Sequence, residues 1–294
     1  MDEQHDLAER FESHRGHLRA VAHRMLGSLA EADDAVQETW LRLSRSDVSD
    51  VVNLPGWLTT VVSRVCLDTL RRRTSRREEL LADESALDRA PGPLPPTPED
   101  EAVLVESVGR ALLVVLDRLG PAERVAFVLH DAFGVPFERI AAIVERSPVT
   151  AKKLASRARR KVHGVPAVPA AELARDRRVV EAFLSAARGG DLTALLAVLA
   201  PDVVRRADAA ALPVGARTEI HGADAVARET VLLARNARAA APALVDGRPG
   251  LVVAPRGRLL LALAVTVEAD RVTAYEVIAA PSRLRALDLA VLGD

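Results

Sequence analysis

EADDAVQETWLRL (31–43) and PGWLTTVVSRVCLDTLRRR (55–73) are the stretches whose reading decides how this chain folds. At about 100° per residue, the first brings Ala32, Val36, Trp40 and Leu43 onto one apolar stripe. Asp34, Gln37, Glu38 and Leu41 fall together on the opposite side, a polar face with one leucine inside it. In the second stretch Leu58, Val62, Val65, Cys66 and Leu70 form the stripe, and Pro55 lies near the helix start. Its other side carries Trp57, Thr60, Val61, Arg64, Asp68 and Arg71, with Arg72 beside them. Cys66 therefore reads as a buried, inert thiol. Trp57, off the stripe, is left between packing on a neighbouring helix and stacking on a base.

Further along, LGPAERVAFVLHDAFGVPFERIAAIVERSPVTAKKLASRARRKV (119–162) has the form of a helix-turn-helix. Pro121 suits a first helical turn, and Gly134 can end that helix. Phe137, Ile140, Ala141 and Val144 give the next helix its stripe. Ser147 is a good N-cap, with Pro148 at the first helical position. In the final helix Ala151, Ala155, Ala158 and Val162 face inward. Val149, Lys153, Ser156 and Arg160 face outward, flanked by Thr150, Lys152 and Arg157. Long cations for guanine edges and phosphates, with small hydroxyls between them, are what a helix reading the major groove needs.

The net charge of −1 hides this asymmetry. Residues 146–161 hold seven basic side chains and no acid, and a second basic run is Arg71, Arg72, Arg73, Arg76 and Arg77. Acids cluster at Asp33, Asp34 and Glu38, and at Glu99, Asp100 and Glu101. Two basic patches on a near-neutral chain point to two DNA contacts plus an acidic surface for another partner. The lack of a long apolar run excludes a membrane-spanning helix. The acidic opening MDEQHDLAER is not a signal peptide, and a single cysteine suits a reducing compartment, so a cytoplasmic protein is expected.

Five of the eight residues 91–98 are proline, which predicts a spacer between the helical blocks. Residues 76–100 at about 3.1 Å each reach roughly 75 Å, close to two duplex turns of ~34 Å. A second linker, HGVPAVPAA, spans 163–171. Beyond it come two amphipathic helices (about 172–188 and 191–199), a strand near 203–206 and a helix near 222–237. APALV, LVVAP, RGRLLLALAVTV and DRVTAYEVIA then read as consecutive antiparallel strands. His221 precedes a helix and reads as a capping or packing residue. Asp202 and Asp246 sit in turn-like contexts. No metal-ligand cluster or phosphate-binding glycine loop is visible, so no metal, cofactor or catalytic residue is expected.

LGSLAEADDAVQETWLRL followed by GWLTTVVSRVCLDTLRRR resembles region 2 of the extracytoplasmic-function sigma factors of bacterial RNA polymerase. S-P-x-T-x-K-x-x-x-S-R-A-R-R resembles their region 4. The resemblance implies that Asp34, Gln37, Glu38 and Leu41 bind the clamp of the polymerase largest subunit. It implies that Asn53, Arg64, Asp68, Arg71 and Arg72 recognise and open the −10 element. Val149, Thr150, Lys152, Lys153, Ser156, Arg157 and Arg160 would read the −35 element, and region 4 would also touch the polymerase flap.

FLSAARGGDLTALLAVLAPDVV (183–204), DGRPGLVV and the ending VIAAPSRLRAL are similar to the SnoaL-like domain that some of these factors carry. Where that subgroup has D-G-G-G, this chain reads ADAAALPVGAR (207–217), and N-P-D-K-L appears as Ala280 to Leu284. The expected architecture is therefore multidomain. All-α region 2 (1–77), a Pro-rich linker (78–101) and an all-α helix-turn-helix region 4 (102–163) come first. A linker (164–177) and an α+β SnoaL-like cone with a curved antiparallel sheet (178–294) follow. Pro281, Arg283 and Leu284 are expected to make a regulatory contact with the sigma core. Such folds include enzymes and pocket proteins, so a ligand-sensing or enzymatic C-terminal domain on a DNA-binding regulator stands as the alternative, with a small molecule as its ligand. A one-component repressor fits less well, because of the acidic 34/37/38/41 face and the lack of an obvious dimerisation helix.

Overall fold

The computed structural model describes residues 2–46, 51–82, 107–232 and 237–292. Contacts divide the chain into two units, residues 1–101 with 116–159, and residues 102–115 with 160–294.

In the first unit, α1 (Asp2–Leu26), α2 (Leu29–Leu43) and α3 (Leu54–Ala82) pack on one another around Phe11, Leu18, Val21, Met25, Val36, Leu43, Leu58 and Val62. The joint between α1 and α2 is built by two residues. Gly27 takes a left-handed φ of 75° that ends α1. The Ser28 hydroxyl oxygen then accepts the Glu31 N–H at 3.4 Å as the N-cap of α2. Arg73 ties all three helices together, donating to the Leu26 carbonyl at 3.0 Å and pairing with Glu31. The stripe expected on α3 is buried throughout. On α2, Ala32, Val36 and Leu43 are buried, but Trp40 is only half-buried, its ring tilted against Phe11 at 5.1 Å. Thr39, rather than Trp40, is fully covered there.

The same unit holds α5 (Pro121–Phe127), which continues as a π-turn over Val128–Ala132, then α6 (Phe137–Val144) and most of α7 (Pro148–His163). Gly134, at φ 64°, ends the π-turn as expected. Phe137 is half-buried and stacks on His130 at 4.0 Å, so the core stripe of α6 is Ile140, Ala141, Ile143 and Val144. α3 packs on both α5 and α6. Its helix continues to Ala82, into the segment expected to be linker; the proline-rich residues beyond lie outside the described residues.

In the second unit, α4 (Ser107–Leu116) joins α8 (Ala170–Gly189), α9 (Leu192–Val198), α10 (Ala223–Leu232), α11 (Pro281–Ala286) and one sheet. The strands are β1 (Leu199–Ala207), β2 (Glu219–His221), β3 (Ala240–Val245), β4 (Arg248–Val253), β5 (Leu261–Glu268), β6 (Arg271–Ile278) and β7 (Leu289–Ala290). Their order is β2-β1-β6-β5-β4-β3-β7. The run β3 to β6 is consecutive and antiparallel, as its turn signals imply. Asp246-Gly247, both at positive φ, form the two-residue turn between β3 and β4. The sheet is curved and mixed rather than antiparallel, because β1 enters beside β6 in parallel, after α8 and α9. α8 lies on β3 to β6, and its Val180, Phe183, Leu184 and Ala187 meet Leu251, Val265 and Tyr275 in the core. α8 begins at Ala170, inside the second expected linker.

Candidate polymerase and nucleic-acid interfaces

On α2 the polar face is presented outward. Asp34, Gln37 and Leu41 are exposed, the leucine at 38%. Glu38 is half-buried and accepts from Arg42 at 2.9 Å, one turn along. The neighbouring Asp33 pairs with Arg19 of α1 at 2.7 Å, which fixes the edge of the face.

The residues grouped on α3 are brought together, but not idle. The Asn53 side-chain oxygen accepts the Gly56 N–H at 2.9 Å, so Asn53 is the N-cap of α3. Arg64 donates to the carbonyl of Ala142 on α6 at 3.0 Å. Arg71 lies 3.8 Å from Asp68 and 3.7 Å from Glu145. Arg72 is exposed, and Trp57 is half-buried. Cys66 is buried, and burial pushes its thiol up to about 12, with the nearby Arg124 charge working the other way. Arg124 of α5 is 2% exposed, and burial lowers its pKa against the pull of Asp117 at 3.4 Å.

The outward face of α7 is fully separated from its packing face. Ala151, Ala155, Ala158 and Val162 are buried; Lys152, Lys153, Ser156, Arg157 and Arg160 are exposed, as is Val149 at 65%. The Ser147 hydroxyl oxygen accepts the Thr150 N–H at 3.2 Å and shares a hydrogen bond with the Thr150 hydroxyl, so Thr150 is half-buried at the helix start. Arg159 is turned away from that face and pairs with Asp131 at 2.6 Å. The turn before α7 is made by Glu145, at φ 57°.

Comparison with known proteins gives these surfaces a family. The profile described as Sigma-70 region 2 matches residues 10–76, and that described as Sigma-70, region 4 matches residues 109–162. The chain is 37% identical over 291 residues to a probable ECF RNA polymerase sigma factor, SigI, of Mycobacterium tuberculosis, with 96% of each chain covered. The chain belongs to the extracytoplasmic-function RNA polymerase sigma factors. The ECF sigma factor SigJ of the same organism is 39% identical over 219 residues, 74% of this chain and 70% of that one. The crystal structure of SigJ aligns with 94% of this chain and 98% of its own, at 33% identity and a TM-score of 0.44. As a sigma factor, the chain directs core RNA polymerase to promoters through regions 2 and 4.

The contacts cut this sigma factor differently from its family regions, because α4, the first helix of region 4, falls with the C-terminal sheet. Arg110 of α4 donates to the Arg238 carbonyl at 2.7 Å. Beyond the end of β7, the Val291 N–H donates to the carbonyl of Val162, in the last turn of α7. Nothing in the sequence marks either contact. Pro281 opens α11 at its first position, and Leu284 lies on that helix. Arg283 is engaged within its own domain, 2.5 Å from Asp208 and 2.8 Å from Glu276. Asp208 also accepts the backbone N–H groups of Ala280 and Ala279 at 2.9 and 3.0 Å. Burial opposes ionisation of Asp208, yet these donors and Arg283 outweigh it and hold the carboxyl below its usual range.

Inside the C-terminal domain, Arg205 is buried and pairs with Glu229 through both guanidinium Nε and Nη2, while Nη1 donates to the Arg217 carbonyl at 3.0 Å. The Tyr275 hydroxyl meets Thr230 at 3.1 Å, and burial pushes its pKa up to about 12. His221 is exposed and pairs with Glu219 at 2.8 Å, at the rim of an open depression of about 400 Å³ lined also by Asp224 and Arg271. Among the described residues no cluster of metal-ligating side chains is present, and no helix is long and apolar enough to cross a membrane.

Proposed function

We propose that three separate faces carry the sigma activity. Asp34, Gln37, Glu38 and Leu41 of α2 seat on the clamp of the polymerase largest subunit. Asn53, Arg64, Asp68, Arg71 and Arg72 handle the −10 element. The outer face of α7 reads the −35 element, with region 4 against the flap. The factor works in the cytoplasm, where core polymerase and promoter DNA are. The observation that carries this reading is the two-sidedness of α7: small residues buried on one side, and Lys152, Lys153, Ser156, Arg157 and Arg160 exposed on the other. Lys153 and Arg160 are assigned to bases and Lys152 to phosphate. Losing Lys152 should weaken all promoters alike and lower the salt slope by about one. Losing a base reader should cost about 1–3 kcal/mol and relax one position. The test is selection from a randomised promoter library by polymerase loaded with wild type or with Lys153→Ala plus Arg160→Ala. Identical selected −35 sequences would remove the assignment.

The C-terminal domain serves as a modulator of the same chain rather than as an enzyme. Its bond to Val162 reaches the reading helix directly. Its interior acid and base, Glu229 and Arg205, are committed to each other, and the Tyr275 phenol holds its proton at neutral pH. Arg283 contributes by fixing α11 to Asp208. A small-molecule ligand belongs to the alternative reading, for which the depression beside His221 is the place to look.

A further inference from the structure

Two arginines of the second unit converge on one turn. Ala237 and Arg238 are helical, Ala239 turns the chain, and β3 begins at Ala240. Arg188, in the last turn of α8, donates from Nε to the Ala237 carbonyl at 3.1 Å and from Nη2 to the Ala240 carbonyl at 2.6 Å. Arg110, in the first turn of α4, donates from Nη1 to the Arg238 carbonyl between them at 2.7 Å. The Ala239 carbonyl accepts the Ala254 N–H at 3.1 Å, so every carbonyl of the turn is already engaged. Both arginines are half-buried, and among the described residues neither meets a carboxylate. Elsewhere a buried guanidinium is answered by an acid, Arg205 by Glu229 and Arg124 by Asp117. Here burial works against the charge of both side chains, and the Arg110 charge adds to the strain on Arg188. The Arg110 Nε is covered and has no hydrogen-bond partner. A buried donor without an acceptor is costly, and it marks a place where an acceptor is wanted.

We propose that Arg110 and Arg188 form an anion site for a small phosphorylated molecule, whose terminal phosphate is received by the two guanidiniums beside the 237–240 turn. Two neighbouring positive charges match a phosphomonoester, which carries about −1.5 to −2 near neutral pH. Arg110 commits a single N–H in its present contact and Arg188 two, so most of each donor fork is open to phosphate oxygens. Arg110 is fastened by one bond and can turn its Nε–H onto an entering oxygen. Arg238, on the turn itself, adds an exposed guanidinium at the edge. A free ligand fits this pair better than a DNA backbone does, because both guanidiniums are half covered, whereas duplex phosphates suit exposed cations such as those of α7. The region 4 profile begins at residue 109, so Arg110 lies in region 4 and Arg188 in the C-terminal domain, and the ligand fastens one to the other. Neither residue belongs to the faces assigned to promoter or polymerase, so failure here leaves those assignments standing.

Calorimetric titration of the full-length factor with pyrophosphate, and separately with inorganic phosphate, tests the site. Wild type should bind pyrophosphate more tightly than phosphate and unfold at a higher temperature in its presence. Arg110→Gln and Arg188→Gln should each weaken binding roughly tenfold and lose the thermal gain. Arg228→Gln, which removes an exposed cation from α10, should bind as wild type does. Arg188 also holds the entry to β3, so circular dichroism checks the fold of its variant; Arg110→Gln gives up a single bond and carries the test if Arg188→Gln unfolds. If capping carbonyls is all that these arginines do, the variants lose the same stability with and without pyrophosphate, and the proposal falls. It falls also if wild type shows no binding at millimolar pyrophosphate, or if Arg228→Gln weakens binding equally. A loss of duplex DNA binding in Arg110→Gln that pyrophosphate does not compete for would assign the pair to nucleic-acid backbone instead.

Discussion

The backbone N–H of Val291 donates to the carbonyl of Val162 at 2.7 Å, linking the last described residues of the C-terminal domain to the final turn of α7. The fit around this bond is close. A Cβ on Gly164 would lie 2.5 Å from the Ala290 methyl, and Gly164 is at φ 59°, so only glycine continues the chain there. Deleting residues 281–294 removes this bond together with α11 and β7. Transcription from a cognate promoter should fall, while affinity for core polymerase is kept. Equal output from the deletion and the wild type, at matched amounts of folded protein, would count against modulation through this end of the chain.

The Arg205–Glu229 pair makes a second, purely structural expectation. Arg205 is 2% exposed, so removing its partner leaves a buried guanidinium with, among the described residues, the Arg217 and Thr218 carbonyls to hold it. Glu229→Ala should destabilise the domain by roughly 3–5 kcal/mol, and the double change to Arg205→Met and Glu229→Ala should recover much of that loss. Urea unfolding followed by circular dichroism measures both. A single variant as stable as wild type would show that the pair is dispensable.

Acid stability should report on Asp208. Its folded pKa lies below the unfolded value of about 3.9. The stabilisation is therefore complete above that value and is lost as pH falls through the lower, folded one. Asp208→Asn should be less stable than wild type at neutral pH, and the two stability curves should converge as the solution is acidified below about 4. Thermal unfolding across that range checks it, and parallel curves would contradict it.

The sequence discloses what is local and hides what is not. The inward set Ala151, Ala155, Ala158 and Val162 is legible because one helix repeats it every three or four residues. Trp40 sits on the same kind of stripe, yet its exposure is settled by Phe11, which belongs to another helix. Arg205 shares a strand face with the buried Val203 and Ala207, yet an arginine pair in the sequence reads first as surface charge, so its burial is not legible there. The parallel joining of β1 to β6 pairs Val204 with Ala274 across a long stretch of intervening chain that no short-range pattern spans. Glu145 is hidden for a different reason: the left-handed turn it makes before the last helix of region 4 is not announced by its residue type.

The proposed sigma activity depends first on the outward face of α2 seating core polymerase. Fluorescence-detected titration of the full-length factor with core RNA polymerase tests this most directly, comparing wild type with Asp34→Arg plus Gln37→Ala. Both side chains are exposed, so the variant should keep the circular dichroism spectrum and unfolding midpoint of wild type. Its affinity for core polymerase should fall by about tenfold or more, equivalent to ~1.4 kcal/mol. A folded double variant that binds core polymerase as tightly as wild type would show that this face of α2 is not the polymerase seat.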